Sequence, residues 1–249
     1  MDVDWVRAQL PGREIHWSPR IDSTMFLAAR LAAQGCPSGT VAGADEQTAG
    51  QGRHGREWLS APESGLYVSL VLRLTLPPET LPVVTLALGL AVVAGILSTT
   101  DAACDLRWPN DVLIGDRKCA GILTQLDGGA IIAGIGINVN QESFPQELAP
   151  IATSLRIARG RVCSRERLLV ALLDAVDMHR ALLEREGREP ILRMFSQASS
   201  YVQGRRVRVE QGGEALTGIT TGLDAAGFLT LLKDDGRRVT ILAGGVRPV

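Results

Sequence analysis

The chain predicts an α+β fold: a mixed β-sheet with helices packed on one face, followed by a small C-terminal SH3-like β-barrel. Three observations lead there. Strand-like runs between Thr40 and Val139 are interrupted by one long apolar helix instead of alternating with helices, which argues against a repeating βαβ array. Two helical segments, Arg165–Glu184 and Glu189–Ser199, follow that region. From Tyr201 the texture changes to four short strands, Arg205–Glu210, Ala215–Thr221, Phe228–Leu232 and Arg238–Leu242, separated by Gly- and Asp-rich turns. The 249 residues therefore divide into a unit over 1–202 and a smaller one over 203–249.

In chain order, Asp2–Leu10 has the pattern of a short helix closed by Pro11-Gly12, and Glu14–Trp17 that of a short strand. Asp22-Ser23-Thr24 supplies caps for a helix over Met25–Ala33, which Gly35 ends. Ser23 and Thr24 serve as caps alone, or as hydroxyls that meet a ligand at a helix N-terminus. Thr40–Ala44 and Leu66–Leu74 are strands, and Pro77-Pro78 breaks the chain before Leu81–Thr100. That uncharged run of twenty residues meets the length test for a membrane span. Its Ala- and Gly-rich centre, its polar ends and the lack of a positive flank favour a buried core helix. Pro109 drives Trp108 out of helical geometry. Val112–Ile114 and Lys118–Leu126 form a hairpin around Gly115-Asp116-Arg117, and Ala130–Val139 is a glycine-punctuated strand. The arginines between Ser154 and Arg167 lack interleaved aromatics and read as a solvated connector, not a nucleic-acid patch.

Apolar residues make up 45% of the chain, and the net charge of −1 provides no field toward nucleic acid or membrane. The four cysteines form no C-x-x-C pair and the three histidines no zinc-like spacing. Free thiols in a reducing compartment are expected, with no protein-held metal. The acidic N-terminus carries no apolar signal core, so a cytoplasmic protein without DNA or membrane contacts is expected.

The most unusual stretch is Asp45–Trp58, with three glycines, two arginines, a histidine and glutamines between two apolar strands. Its glycines permit close backbone approach to a ligand, and its N–H groups and arginines suit an anion. A solvated basic loop is the alternative. Gly50 and Gly55 have P-loop spacing, but Arg56-Glu57 stands where Lys-Ser/Thr is required, so P-loop chemistry is excluded. A second informative stretch is Arg107-Trp108-Pro109-Asn110-Asp111. A third begins at Lys118, whose apolar neighbours Cys119, Ala120, Gly121 and Ile122 make ordinary solvation doubtful.

Together with Gly134-Ile135-Gly136-Ile137-Asn138-Val139-Asn140, these stretches resemble the biotin protein ligase family. The resemblance covers most of the chain. It implies a class II synthetase-like catalytic domain with an SH3-like C-terminal domain. It also implies an activity: ATP-dependent formation of biotinyl-5′-AMP, then transfer of biotin to a lysine of a biotin carboxyl carrier domain. Mg²⁺ is expected with the ATP, and a homodimer is left open. By the same resemblance, Ser23, Thr24, Gln47, Gly50, Gln51, Arg53, Lys118 and Gly121 contact biotin. Arg53, Arg56, Trp58, Asn110, Lys118 and Asn138 contact ATP or the adenylate. Lys118, Arg53 and Asp111 are the catalytic candidates, Asp111 either orienting groups for the transfer or serving only to cap its turn. Gln51 departs from the family, where arginine is frequent, and the ending Gly244–Val249 is short for a nucleotide contact by Arg247. The stretch before Asp22 is too short for the DNA-binding arm of bifunctional members. Two other readings compete: a lipoate or octanoate transferase sharing the fold, and a non-catalytic biotin sensor. The glycine loop and Trp108-Pro109-Asn110-Asp111 argue against the first, and Lys118 with Arg53 against the second.

Overall fold

The computed structural model describes residues 1–75, 77 and 80–249. Pro78 of the expected break lies outside them. The elements run α1 Val3–Gln9, β1 Ile15–Ser18, α2 Thr24–Ala33, β2 Val41–Ala44, β3 Gly65–Leu72, α3 Leu81–Thr100, β4 Asp105–Arg107, β5 Asp111–Ile114, β6 Arg117–Asp127, β7 Ala130–Asn138, α4 Leu155–Arg159, α5 Arg165–Glu186 and α6 Arg188–Gln197. Five strands follow: β8 Gln203–Gln211, β9 Glu214–Leu223, β10 Leu229–Lys233, β11 Arg238–Ile241 and β12 Val246–Pro248.

The first sheet has seven strands in the order β1-β2-β3-β7-β6-β5-β4. β1 and β2 pair in parallel and the other pairs are antiparallel, which makes the sheet mixed. Alternate side chains of a strand face opposite sides, and β3 shows it: Leu66, Val68, Leu70 and Leu72 join one core, Val71 another. The larger core holds α1, α3, α4, α5 and α6, the expected helical layer. α3 contributes most to it, and two thirds of its most apolar window is buried in protein. Gly95 lets α3 approach α5 closely, because a Cβ there would lie 3.1 Å from the Leu172 backbone. α2 is an addition to the expected layer. Its Met25, Ala28 and Leu31 pack on the other face, against Ala42, Val71, Ala130 and Ile132. The rest of that second face is where the polar loop lies.

Four details differ from the sequence reading. β4 was not expected; it forms because β5 folds back along it, pairing Asp105–Arg107 with Leu113–Asp111. The arginine-rich connector contains a helix, α4, capped by Ser154. Arg165 is not solvated: it is buried and donates to Asp45 Oδ1 at 2.9 Å and to the Gly65 carbonyl at 3.3 Å. The C-terminal sheet has a fifth strand, β12, in the order β11-β10-β9-β8-β12. Val207, Val209, Leu229, Leu231, Ile241 and Val246 of that sheet belong to the same apolar cluster as the helical layer. Trp108 Nε1 donates to the Gly227 carbonyl at 2.9 Å across the junction.

Candidate active site

The loop after β2 is an ordered hairpin. Trp58 N donates to Gly50 O at 2.9 Å and Gly52 N to Arg56 O at 2.7 Å, and Gln51 bridges to Glu57. Its tip is a single 3₁₀ turn, Arg53–Gly55, with His54 in the left-handed region at φ 58°. Arg53 points inward and donates from Nη1 to Asn110 Oδ1 (2.9 Å) and to the Gly244 carbonyl (3.2 Å). Burial pushes the Arg53 guanidinium below its usual range, Asp111 counteracts this, and Arg56 reinforces it.

Beneath the hairpin the sheet is floored with glycines. A Cβ on Gly136 would fall 2.5 Å from Trp58 Nε1, and one on Gly121 2.9 Å from Trp58 Cζ3 and 3.0 Å from Lys118 Nζ. Glycine is required there because the indole and the lysine occupy the space of a side chain. Lys118 and Gly121 are three residues apart and would face opposite sides in a regular strand. The pairing shifts between Val112↔Ala120 and Leu113↔Lys118, leaving Cys119 as an extra residue. That bulge re-aims the strand, so Lys118 and Gly121 both line one cavity.

Lys118 Nζ lies 2.6 Å from Asp111 Oδ1 and 5.2 Å from the centre of the Trp58 ring. Arg107 Nη2 takes the other carboxylate oxygen at 2.7 Å. Burial alone would raise the Asp111 carboxyl, but Lys118 and Arg107 outweigh it and hold it below the usual carboxylate range. The carboxylate thus holds two cations in place.

Two hollows meet at this lysine. The inner one, about 50 Å³, is lined by Thr24, Gln47, Gln51, Arg53, Asn110, Lys118 and the glycine floor. The outer one, about 520 Å³, lies between the two sheets and is lined by Arg56, Trp58, Arg107, Asp111, Lys118 and Asn138. Phe144, Leu148 and Ile151 from the segment after β7, and Arg247 of β12, complete it. Among the described residues, Trp58 and Lys118 line both hollows.

Most of the residues expected from sequence thus converge. Two stand behind the walls. Ser23 is buried and caps α2, accepting from Met25 N at 3.3 Å. Gly50 sits at the hairpin base, beneath the Trp58 backbone. Asn138 lines the outer hollow while its Nδ2 donates to Thr153 O at 3.0 Å. Arg107, Phe144, Leu148 and Ile151 were missed. Arg107 stood inside the Arg107–Asp111 stretch but was given no role there; the three apolar residues have the helical spacing i, i+4, i+7, but Pro145 and Pro150 interrupt the segment, so no element was read in it.

This geometry has counterparts. Residues 17–142 match the biotin/lipoate A/B protein ligase family and residues 203–246 the biotin protein ligase C-terminal domain. The bifunctional ligase/repressor BirA of Bacillus subtilis is 34% identical over 238 residues, covering 93% of this chain and 73% of BirA. The chain belongs to the biotin protein ligase family. Within that family, the biotin–[acetyl-CoA-carboxylase] ligase of Mycobacterium tuberculosis is 36% identical over 225 residues, covering 88% of this chain and 83% of the relative. The structure of the biotin protein ligase from Aquifex aeolicus in complex with biotin and ATP superimposes with a TM-score of 0.83 at 32% identity, covering 95% of this chain and 99% of that one.

Proposed function

We propose that this chain is an ATP-dependent biotin ligase, forming biotinyl-5′-AMP and then biotinylating a lysine of a biotin carboxyl carrier domain. The observation that carries this reading is the meeting of the two hollows at Lys118 and Trp58. Biotin enters the inner hollow with its ring toward Thr24 and Gln47 and its carboxylate toward Lys118. The nucleotide occupies the outer one, with Asn138, Trp58 and Arg56 around it.

The biotin carboxylate oxygen attacks the α-phosphorus of ATP, and the α–β bridging oxygen leaves with pyrophosphate. Two anions must come together, and Lys118 and Arg53 neutralise the charge that develops between them. No protein nucleophile is required. Asp111 orients Lys118. The resulting anhydride is sensitive to water, and the hairpin covers it. In the second step the acceptor lysine amine attacks the acyl carbon and AMP leaves.

Mg²⁺ is assigned to the phosphates of ATP. Among the described residues no cluster of three His, Cys, Asp or Glu side chains could hold a metal, and both Asp111 oxygens are taken by Lys118 and Arg107. The test is release of pyrophosphate from ATP with biotin or with lipoate. Biotin-dependent release supports the reading; release with lipoate alone, or none at all while biotin still binds, sinks it.

A further inference from the structure

From the wall of the inner hollow into the protein behind it runs a hydrogen-bonded chain of side chains, Ser69, Thr24, Gln47 and Ser60, of which Gln47 alone is only half-buried. Ser69 Oγ lies 2.8 Å from Thr24 Oγ1, which lies 3.0 Å from Gln47 Oε1. Gln47 Nε2 lies 2.7 Å from Ser60 Oγ, and Ser60 Oγ 3.2 Å from the Trp58 carbonyl. Ser60 is 4% exposed and Ser69 fully buried, and neither lines the hollow.

One group sets the direction of every proton in this chain. The backbone N–H of Thr24, the first residue of α2, can only donate, and it meets Gln47 Oε1 at 2.9 Å. The carboxamide oxygen must therefore face Thr24 and the nitrogen Ser60. An oxygen at Oε1 has no proton, so the Thr24 hydroxyl supplies the one between them. The proton between Ser69 and Thr24 then has to come from Ser69. At the other end Gln47 Nε2 donates to Ser60, and the Ser60 proton goes to the Trp58 carbonyl. Gln47 and Ser60 are brought together by an isolated antiparallel bridge between the two arms of the loop. Gly50 leaves room for their contact, since a Cβ there would lie 2.8 Å from Ser60 Oγ and 3.1 Å from Gln47 Nε2.

What remains for a ligand is one lone pair on Thr24 Oγ1 and the second N–H of Gln47, among the contacts of the described residues. The pair presents one acceptor beside one donor. It complements a ring that offers N–H and C=O side by side. We infer that Ser60 and Ser69 are positioning residues that hold Thr24 and Gln47 in the polarity set by the Thr24 backbone N–H, and so make the pocket specific for a cyclic urea. This rests on the biotin reading above and adds two residues that never touch the ligand.

The experiment compares kcat/KM for biotin and for 2-iminobiotin, which carries an N–H in place of the ureido oxygen, in wild type, Ser60→Ala and Ser69→Ala. Without Ser60 the Gln47 amide loses the acceptor that holds its nitrogen end, and without Ser69 the Thr24 hydroxyl is free to turn its proton outward. Each change is expected to raise KM for biotin roughly three- to tenfold, more than KM for ATP, and to narrow the biotin-to-iminobiotin ratio by a similar factor. A merely structural loss would lower both substrates alike. An unchanged ratio in both variants overturns the inference. If an alanine variant does not fold, Ser60→Cys or Ser69→Cys keeps the volume with a poorer hydrogen-bonding group, and the same ratio decides. A wild type that uses no biotin overturns the underlying function instead.

Discussion

At the residue scale, Asp111 holds two cations at once, Lys118 and Arg107. Its carboxyl is held below its ordinary value of 3.8 by Lys118 and Arg107 despite burial. A carboxyl depressed on folding contributes stability above its unfolded value and loses it as pH falls through the folded one. Acidification below about 3.8 is therefore expected to withdraw this contribution. Asp111→Asn leaves two cations unpaired and should cost about 3–5 kcal/mol at neutral pH, with a flatter acid limb, measured by urea unfolding across pH. Lys118→Ala is expected to slow pyrophosphate release by roughly a hundredfold or more, since it removes a charge aimed at the reacting phosphate. A variant releasing pyrophosphate at the wild-type rate would remove Lys118 from the chemistry. Arg53→Gly cuts the bonds to Asn110 and Gly244. Adenylate dissociation should quicken about ten- to a hundredfold, seen by chasing labelled biotinyl-5′-AMP, with formation less affected.

At the scale of elements, the site is a hairpin laid over a glycine floor. Trp58 Nε1 is buried and finds no hydrogen-bond partner among the described residues, an arrangement that costs about 1–3 kcal/mol. A ligand that brings an acceptor to this N–H would therefore change the surroundings of the indole. Biotin should change tryptophan fluorescence in wild type and not in Trp58→Phe; an equal change in both would locate the response in another of the four tryptophans. Gly136→Ala places a methyl in the ring's space and should raise KM for biotin about tenfold while leaving melting close to wild type. Much of this was legible in sequence, because an ungreasy glycine and arginine loop between two apolar strands cannot be core. The bulge at Cys119 was not: it depends on pairing with β5, and no local pattern marks which residue is extra. β4 was missed because three residues are too few to show a period of two. The burial of Arg165 was missed because its partner, Asp45, is 120 positions away.

At the scale of the whole molecule, the two sheets share one apolar cluster, and the outer hollow has walls from both. The proposed division at residues 202 and 203 is thus one of sheets, not of independent cores. Chain order showed the two sheets, since strand-rich texture returns after Tyr201. It could not show that β12 lines the outer hollow, because that depends on how the sheets pack. The central claim is that the junction at Lys118 builds and holds an acyl-adenylate. A single-turnover quench tests it most directly, using enzyme in excess, biotin and ATP labelled at the α-phosphate. The account predicts that label and biotin elute together as one adenylate bound to the protein, and that adding a biotin carboxyl carrier domain discharges it as AMP with biotin on the acceptor lysine. Label joined covalently to the enzyme itself, or AMP formed at the same rate without biotin, would contradict it.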